Sequence, residues 1–349
     1  MTKSSFFLLF VLLSSLLFAQ QRPAQRPAVT KPAPAVTSPV TVYGSVFADY
    51  LYVFQEPQTL NPASGTDGRN EFAVRRAMLG VDYAFSPAVT SKIEYDAGGG
   101  LGLMQAFVNV HNLMNGMDLR LGRMIGPSTE TVQKFWEYRA LGAGVLERTP
   151  GMLHEYDNGI LFTARTDAAG SAYARLGIFN GTGPIAETDK VKKYAMTVGN
   201  WFDRGSMAEL YVDFENVGAG RSTITGKLFY GMRTQSSMLG IEAFYRMNRK
   251  FAGTNDVTPL GGSLFGWFEM MPAMRAVLRA DFVDNDLNSS NAGSRDLYFN
   301  AGLDYMPAAH VHLMPNVVYT KALKKGSTVV GVDFMAVQLT LSASLPAMK

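Results

Sequence analysis

Residues 337–345 read VQLTLSASL. Val337, Leu339, Leu341, Ala343 and Leu345 share one parity; Gln338, Thr340, Ser342 and Ser344 share the other. Successive side chains of a strand point to opposite faces, so the segment predicts a strand with one apolar and one hydroxyl-rich face. The same period of two runs through most of the chain after residue 41. Ile93 and Tyr95 oppose Lys92, Glu94 and Asp96; Leu210, Val212 and Phe214 oppose Glu209, Asp213 and Glu215; Leu278, Ala280 and Phe282 oppose Arg279 and Asp281. Such segments number about sixteen, most near the 9–11 residues that cross a bilayer as a tilted strand.

Alternation alone does not say what touches each face. A soluble sandwich sets the apolar face on a core and the polar face in water. An outer-membrane barrel sets the apolar face in lipid and the polar face on a water-filled lumen. The connections favour the barrel. Short turns at Ser86-Pro87, Asn115-Gly116, residues 167–170, 203–206 and 234–237, and Met-Pro-Ala at Met271 and Met306, take turns with longer polar stretches at residues 55–70, 180–190, 250–261 and 285–294. A glycine run at residues 98–101 stands where a long loop is due. Short turns on one side and long loops on the other are the habit of membrane barrels. Tyr83, Phe85, Phe202 and Tyr305 flank the short turns, and Tyr52, Phe54, Phe72 and Tyr319 flank the long loops, as two interfacial girdles would. Backbone amides cannot stay unpaired in hydrocarbon, so the sheet must close on itself, and sixteen strands leave room for water inside.

The N-terminus adds export. Lys3 precedes FFLLFVLLSSLLF, an apolar run of signal-peptide length, and residues 1–19 are expected to be that signal. Residues 20–40, rich in Pro and Ala, predict an extended periplasmic linker, and residues 41–349 the outer-membrane barrel. The chain has no cysteine, which removes disulfides, thiolate metal sites and a lipoprotein anchor together. A net charge of +3 implies no nucleic-acid partner.

One connection, residues 125–157, is too long for a surface turn. Ser128-Thr129-Glu130 followed by TVQKFWEYRAL predicts a short helix with an N-terminal cap and a Glu130–Lys134 pair. Folded inward, this third long loop would narrow the lumen and put Lys134, Arg139, Glu147 and Arg148 in the path of solutes; as an external loop it would carry them in water. On the lumen wall, parity places Arg76, Lys92, Arg120, Arg165, Arg175, Lys193, Lys227, Arg246 and Arg279, together with acids such as Asp118, Glu209, Asp281 and Asp304. A charge at the bilayer midplane costs several kcal/mol, about 2–4 for Arg or Lys, which is why they belong inside. Arg75 shares parity with Leu79 and Val81, so it must snorkel or sit near a bulge.

FAVRRAMLGVDYAFSPAVTSKIEYD, residues 72–96, resembles the paired-arginine hairpin of the phosphate-selective porin O and P family. LRLGRMIGPSTE with the later LERTPG is similar to that family's fifth strand and the start of its constriction loop, and ARLGIFNGTG resembles the strand after it. The likeness covers mainly residues 41–185. It implies a sixteen-stranded, trimeric outer-membrane porin with the third loop folded inward, lodged in lipid by the barrel assembly machinery and without a cofactor. The family's phosphate channels are lined by a basic ladder, whereas this third loop carries five acids against three bases, so phosphate selectivity does not carry over. The chain also ends LPAMK rather than in an aromatic residue read during assembly.

The expectation is therefore a porin passing small hydrophilic solutes and ions, oxyanions such as phosphate among them, and not an enzyme. Two alternatives share the fold: a non-conducting adhesin or scaffold barrel, and a barrel enzyme using His154, Glu155 and Asp157, or His310 and His312 on one strand face.

Overall fold

The computed structural model describes residues 39–55, 68–98, 102–167, 170–187, 189–288, 293–326, 328–329 and 333–348. The expected signal peptide and all but the end of the expected linker lie outside those residues. Strand structure starts at Val40, inside the stretch expected as linker, because Val40 pairs with Tyr83.

The first eight long strands are β1 Val40–Gln55, β2 Asn70–Ser86, β3 Val89–Asp96, β4 Gly102–Met114, β5 Met117–Ile125, β6 Tyr156–Arg165, β7 Ala172–Phe179 and β8 Lys193–Trp201. The rest are β9 Ser206–Gly218, β10 Arg221–Arg233, β11 Ser237–Ala252, β12 Leu260–Met271, β13 Met274–Asp284, β14 Arg295–Ala308, β15 Val311–Ala322 and β16 Phe334–Met348. Chain neighbours pair antiparallel throughout, and β16 returns to β1, with Phe47 opposite Ser342 and Tyr50 opposite Leu339. The result is a closed sixteen-stranded barrel, which has no free edge to satisfy. A short strand, Asn255–Val257, extends the β11–β12 hairpin on the long-loop side.

The two ends differ as the turns predict, with one addition. Between β9 and β10, on the long-loop side, only Ala219 and Gly220 connect the strands, both at positive φ (51° and 73°) as a tight hairpin requires.

Burial is inverted relative to a protein built for water. Leu79, Ile93, Leu121, Leu228, Leu264, Leu278, Leu339 and Leu341 are exposed on the outer face. Lys227, Glu209, Asp213, Asp281 and Asp304 are buried on the inner one, and Thr340 with them. A continuous exterior of branched aliphatic side chains is matched to hydrocarbon. Near the ends the rings pair up: Tyr83 and Phe85 at 4.7 Å, Tyr50 and Phe72 at 4.8 Å, Tyr52 and Phe54 at 5.0 Å.

The anomalous Arg75 has a local cause. Across β1 and β2, Phe47 faces Arg76 but Ala48 faces Val74, so Arg75 is the extra residue of a β-bulge. The insertion reverses parity: outward residues are Phe72 and Val74 above the bulge, and Leu79, Tyr83 and Phe85 below it. Both arginines can then face inward from adjacent positions.

The segment between β5 and β6 carries the two helices, α1 Glu130–Trp136 and α2 Val145–Arg148, with a 3-10 turn at Arg139–Leu141 between them. Among the described residues no helix is long and apolar enough to cross a membrane.

Candidate functional site

The third loop lies inside the barrel because its own apolar residues have a seat there. Val132, Phe135, Trp136, Tyr138, Ala140 and Leu141 pack with Tyr173, Met207, Phe229, Met238, Phe265, Trp267, Val277 and Met314, all on the inner wall. Rings stack in series, Phe135 on Trp201 at 5.6 Å and Trp136 edge-on to Phe265 at 5.3 Å. On the return leg Val145, Leu146 and Met152 pack with Phe244 and Val283. Burying a large apolar side chain is worth about 1.5–3 kcal/mol, so several of them together hold the loop firmly.

Polar ties fix its course. The Lys227 ammonium, fully buried, donates to the Ser128 carbonyl and lies 3.4 Å from Glu209. Thr131 donates to Glu209 at 2.6 Å. Arg246 donates to the Met152 carbonyl and Arg279 to the Ala143 carbonyl. At the far tip Tyr138 donates to Asp304 at 2.8 Å, and Arg75 reaches the Ala140 carbonyl. Burial raises the Tyr138 phenol, so it stays a donor to the Asp304 carboxylate.

The expected cap of α1 is only partly made. The helix starts at Glu130 and the Glu130–Lys134 pair closes at 2.9 Å, but the Thr129 hydroxyl turns back to the Gly126 carbonyl at 3.2 Å instead of capping the helix.

Of the four loop residues expected in the path of solutes, one keeps its charge in open space. The Lys134 side chain is 69% exposed. Arg139 is turned into the loop, 2.8 Å from Glu147 and 2.5 Å from Glu155, while Gln133 donates to the same two carboxylates. Burial lowers the Arg139 guanidinium, but Glu147 and Glu155 outweigh it and keep it charged. Arg148 is pinned to the wall, 3.2 Å from Asp281 and 3.5 Å from Asp296. These ion pairs, made once the loop has folded back on itself and onto the wall, set both orientations.

The wall cations all face inward, and most have an acid. Arg76 meets Asp96 at 3.3 Å, Lys92 meets Asp82 at 3.1 Å, Arg165 meets Asp118 at 2.7 Å and Lys193 meets Glu215 at 3.7 Å. Arg279 bridges to Asp281 at 2.7 Å, while Arg246 has the loop backbone and Asn248. These pairs make Lys227, Arg246 and Arg279 parts of the loop seat.

The remaining wall cations, Arg120 and Arg175, converge with Arg165 and the loop's Lys134. A cavity of about 170 Å³ is lined by Arg120, Glu130, Lys134, Leu161, Thr163, Arg165, Tyr173 and Arg175. It therefore holds four bases and one acid. Burial would raise the Glu130 carboxyl, but Arg175, Lys134 and Arg120 outweigh it and hold it at about 2. Sequence reasoning named Glu130 only as the helical partner of Lys134 and did not name Tyr173, Leu161 or Thr163. The available signal was parity, since Tyr173 stands two residues before Arg175 on the same face.

The histidines are occupied otherwise than as a reactive cluster. Burial, with Lys193 and Arg246 nearby, pushes the His154 ring down, towards its neutral form. Asp157 accepts from the Gly181 and Asn158 amides. His310 sits in the β14–β15 turn at φ 65° rather than on a strand face with His312, which contacts Asp304 at 3.0 Å. No group of three or more His, Cys, Asp or Glu suited to a metal occurs among the described residues.

This architecture, a closed sixteen-strand barrel with its third long loop seated within, is the fold of outer-membrane porins. The chain is similar over 88% of its length to an anion-selective porin from Comamonas acidovorans, covering 99% of that chain at 16% identity and a TM-score of 0.66. It is similar to the outer-membrane channel DcaP of Acinetobacter baumannii over 88% of this chain and 97% of that one, at 14% identity and a TM-score of 0.65. The trimer form of OmpT from Vibrio cholerae matches over 88% and 99%, at 12% identity and 0.64. No protein-family model matches the chain, and no curated protein matches it.

Proposed function

We propose that the protein is a porin of the bacterial outer membrane, a water-filled channel for passive diffusion of small hydrophilic solutes and ions. One observation carries this reading: the apolar exterior and the charged interior are separated by a closed wall, and the inserted loop leaves a hydrophilic cavity beside Arg120, Lys134, Arg165 and Arg175. Focused positive potential in a narrow space raises the local concentration of anions and lowers that of cations. Small anions, oxyanions such as phosphate included, are therefore the preferred solutes. The loop supplies Lys134 to the narrow zone, while Arg139, Glu147 and Arg148 shape it indirectly by holding the loop. Kinship with the phosphate-selective porins rests on the Arg75-Arg76 hairpin and the loop motifs.

The same reading assigns a homotrimer, an N-terminal export signal and insertion by the barrel assembly machinery, with no cofactor and no catalysis. Its test is conductance of the purified protein in a planar lipid bilayer, with the reversal potential measured in a salt gradient. Discrete current steps favouring anions are expected; a silent membrane would overturn it. Silence would favour the scaffold reading, which has one point of support: the loop tip reaches the opposite wall, where Tyr138 donates to Asp304 on β14.

A further inference from the structure

Glu130 stands where an anion in the cavity should stand. Its carboxylate lies 2.9 Å from the Lys134 ammonium, 3.4 Å from Arg175 and 3.8 Å from Arg120. The side chain is only 10% exposed, although its partner Lys134 is mostly in the open. Of the three contacts only the one to Lys134 is a hydrogen bond; the two guanidinium groups stand off at ion-pair distance. The Arg175 Nη1 facing it is buried without a hydrogen-bond acceptor.

The two arginines do not depend on Glu130 for their place. Arg120 donates to Asn109 at 3.0 Å and lies 4.6 Å over the Phe107 ring. Arg175 lies 4.5 Å over the Tyr173 ring, and that tyrosine is fixed by Glu209 at 2.5 Å. Both guanidinium groups would remain in position if the carboxylate moved away, and an incoming anion could approach Arg175 more closely than Glu130 does. A preformed set of donors whose resident makes one hydrogen bond and stands off from the other two leaves room for a better-fitting anion.

We propose that Arg120, Arg175 and Lys134 form an anion subsite whose resident counter-ion is Glu130, and that a small permeating carboxylate takes its place there. The protein's own side chain identifies the ligand chemistry, since a carboxylate already fits between these three cations. Glu130 thereby sets selectivity and occupancy together: while it is in place the subsite is partly neutralised, and traffic continues because no solute anion is held tightly. The inference rests on the channel reading above.

The experiment compares wild-type protein with E130Q and E130D in planar bilayers, reading the reversal potential in a potassium chloride gradient and the concentration of sodium succinate that halves the chloride current. E130Q should shift the reversal potential further towards anions and lower the half-blocking concentration about tenfold. E130D, which keeps the charge, should stay near wild type in both. If E130Q conducts with unchanged selectivity and unchanged or weaker succinate block, the inference is overturned. If E130D behaves as E130Q does, loop seating rather than charge is responsible, and the inference falls. Absence of any wild-type conductance removes the channel reading itself, an outcome distinct from both.

Discussion

Arg75 clasps Asp49 across the β1–β2 bulge, its Nη2 donating to Oδ1 at 3.0 Å, while the same guanidinium reaches the Ala140 carbonyl at the tip of the third loop. Asp49 is almost wholly buried and also accepts from Thr340 at 2.6 Å. One residue inserted into a strand thus couples the seam where the barrel closes to the loop that narrows it.

Arg75→Ala leaves the Asp49 carboxylate buried with one hydroxyl for company. A hydrogen bond to a charged group is worth about 1.5–3 kcal/mol, and the lower end applies because Arg75 is partly exposed. The temperature at which the barrel loses its compact electrophoretic mobility should fall by several degrees, and the open current should become noisier. A variant with wild-type mobility and quiet current would dissociate the clasp from the loop.

Lys134→Glu and Arg139→Glu, both in the third loop, should behave differently. The Lys134 end of its pair with Glu130 is in the open, so the pair is screened and worth about 1 kcal/mol, and Lys134→Glu should reduce anion preference at a smaller cost in stability than Arg139→Glu. Arg139→Glu would set a third carboxylate against Glu147 and Glu155, a loss of about 3–5 kcal/mol for a broken buried pair. Reversal potentials and boiling-resistance on gels separate the two effects, and equal stability loss in both variants would contradict the placement of Lys134.

Acid should spare the loop until the medium is strongly acidic. The Glu130 carboxyl is held at about 2, below its ordinary 4.5, by Arg175, Lys134 and Arg120 acting against burial. A depressed folded value means its contribution is complete above about 4.5 and is lost as pH falls through about 2. The Glu130 tie should therefore hold from pH 7 to about 5, and its loss, read as a change in anion preference that E130Q no longer shows, should be concentrated between about 4.5 and 2. A change centred near neutrality would show that another group controls the preference.

Outward and inward positions one residue apart should respond oppositely to charge. Leu339 is exposed on the outer face of β16, and Gln338 belongs to the inner parity. Leu339→Arg should cost about 2–4 kcal/mol if it lies near the bilayer midplane, and Gln338→Arg much less. Refolding yield into lipid vesicles of the two variants measures this; equal yields would mean that Leu339 does not face acyl chains.

Much of the barrel was legible because strand periodicity reports sidedness directly. Leu339 against Thr340, and Leu278 against Arg279, announce their faces without any knowledge of neighbours. Parity fails where a strand gains a residue, since a bulge is set by pairing with the adjacent strand. Arg75 shows this on β2, and Met104 and Gln105, both buried side by side on β4, show it again where Glu94 and Tyr95 change register. The helix at Glu130 was readable, but its seat was not. Tyr138 meets Asp304 across 166 residues of sequence, and no local pattern marks that meeting. Arg139 looked like a channel residue for the same reason: its partners Glu147 and Glu155 come within reach only after the loop folds back on itself.

Lys227 carries a consequence for biogenesis. Its ammonium is sealed beneath the third loop, and the Ser128 carbonyl is part of what satisfies it. A cylinder completed before that segment was inside would leave Lys227 with the wall carboxylates Glu209 and Glu242 but without the Ser128 carbonyl. Docking of the segment thus completes the coordination of a cation that the wall alone satisfies only by distant ion pairs, so the filled cylinder is the better-matched state of its own lining.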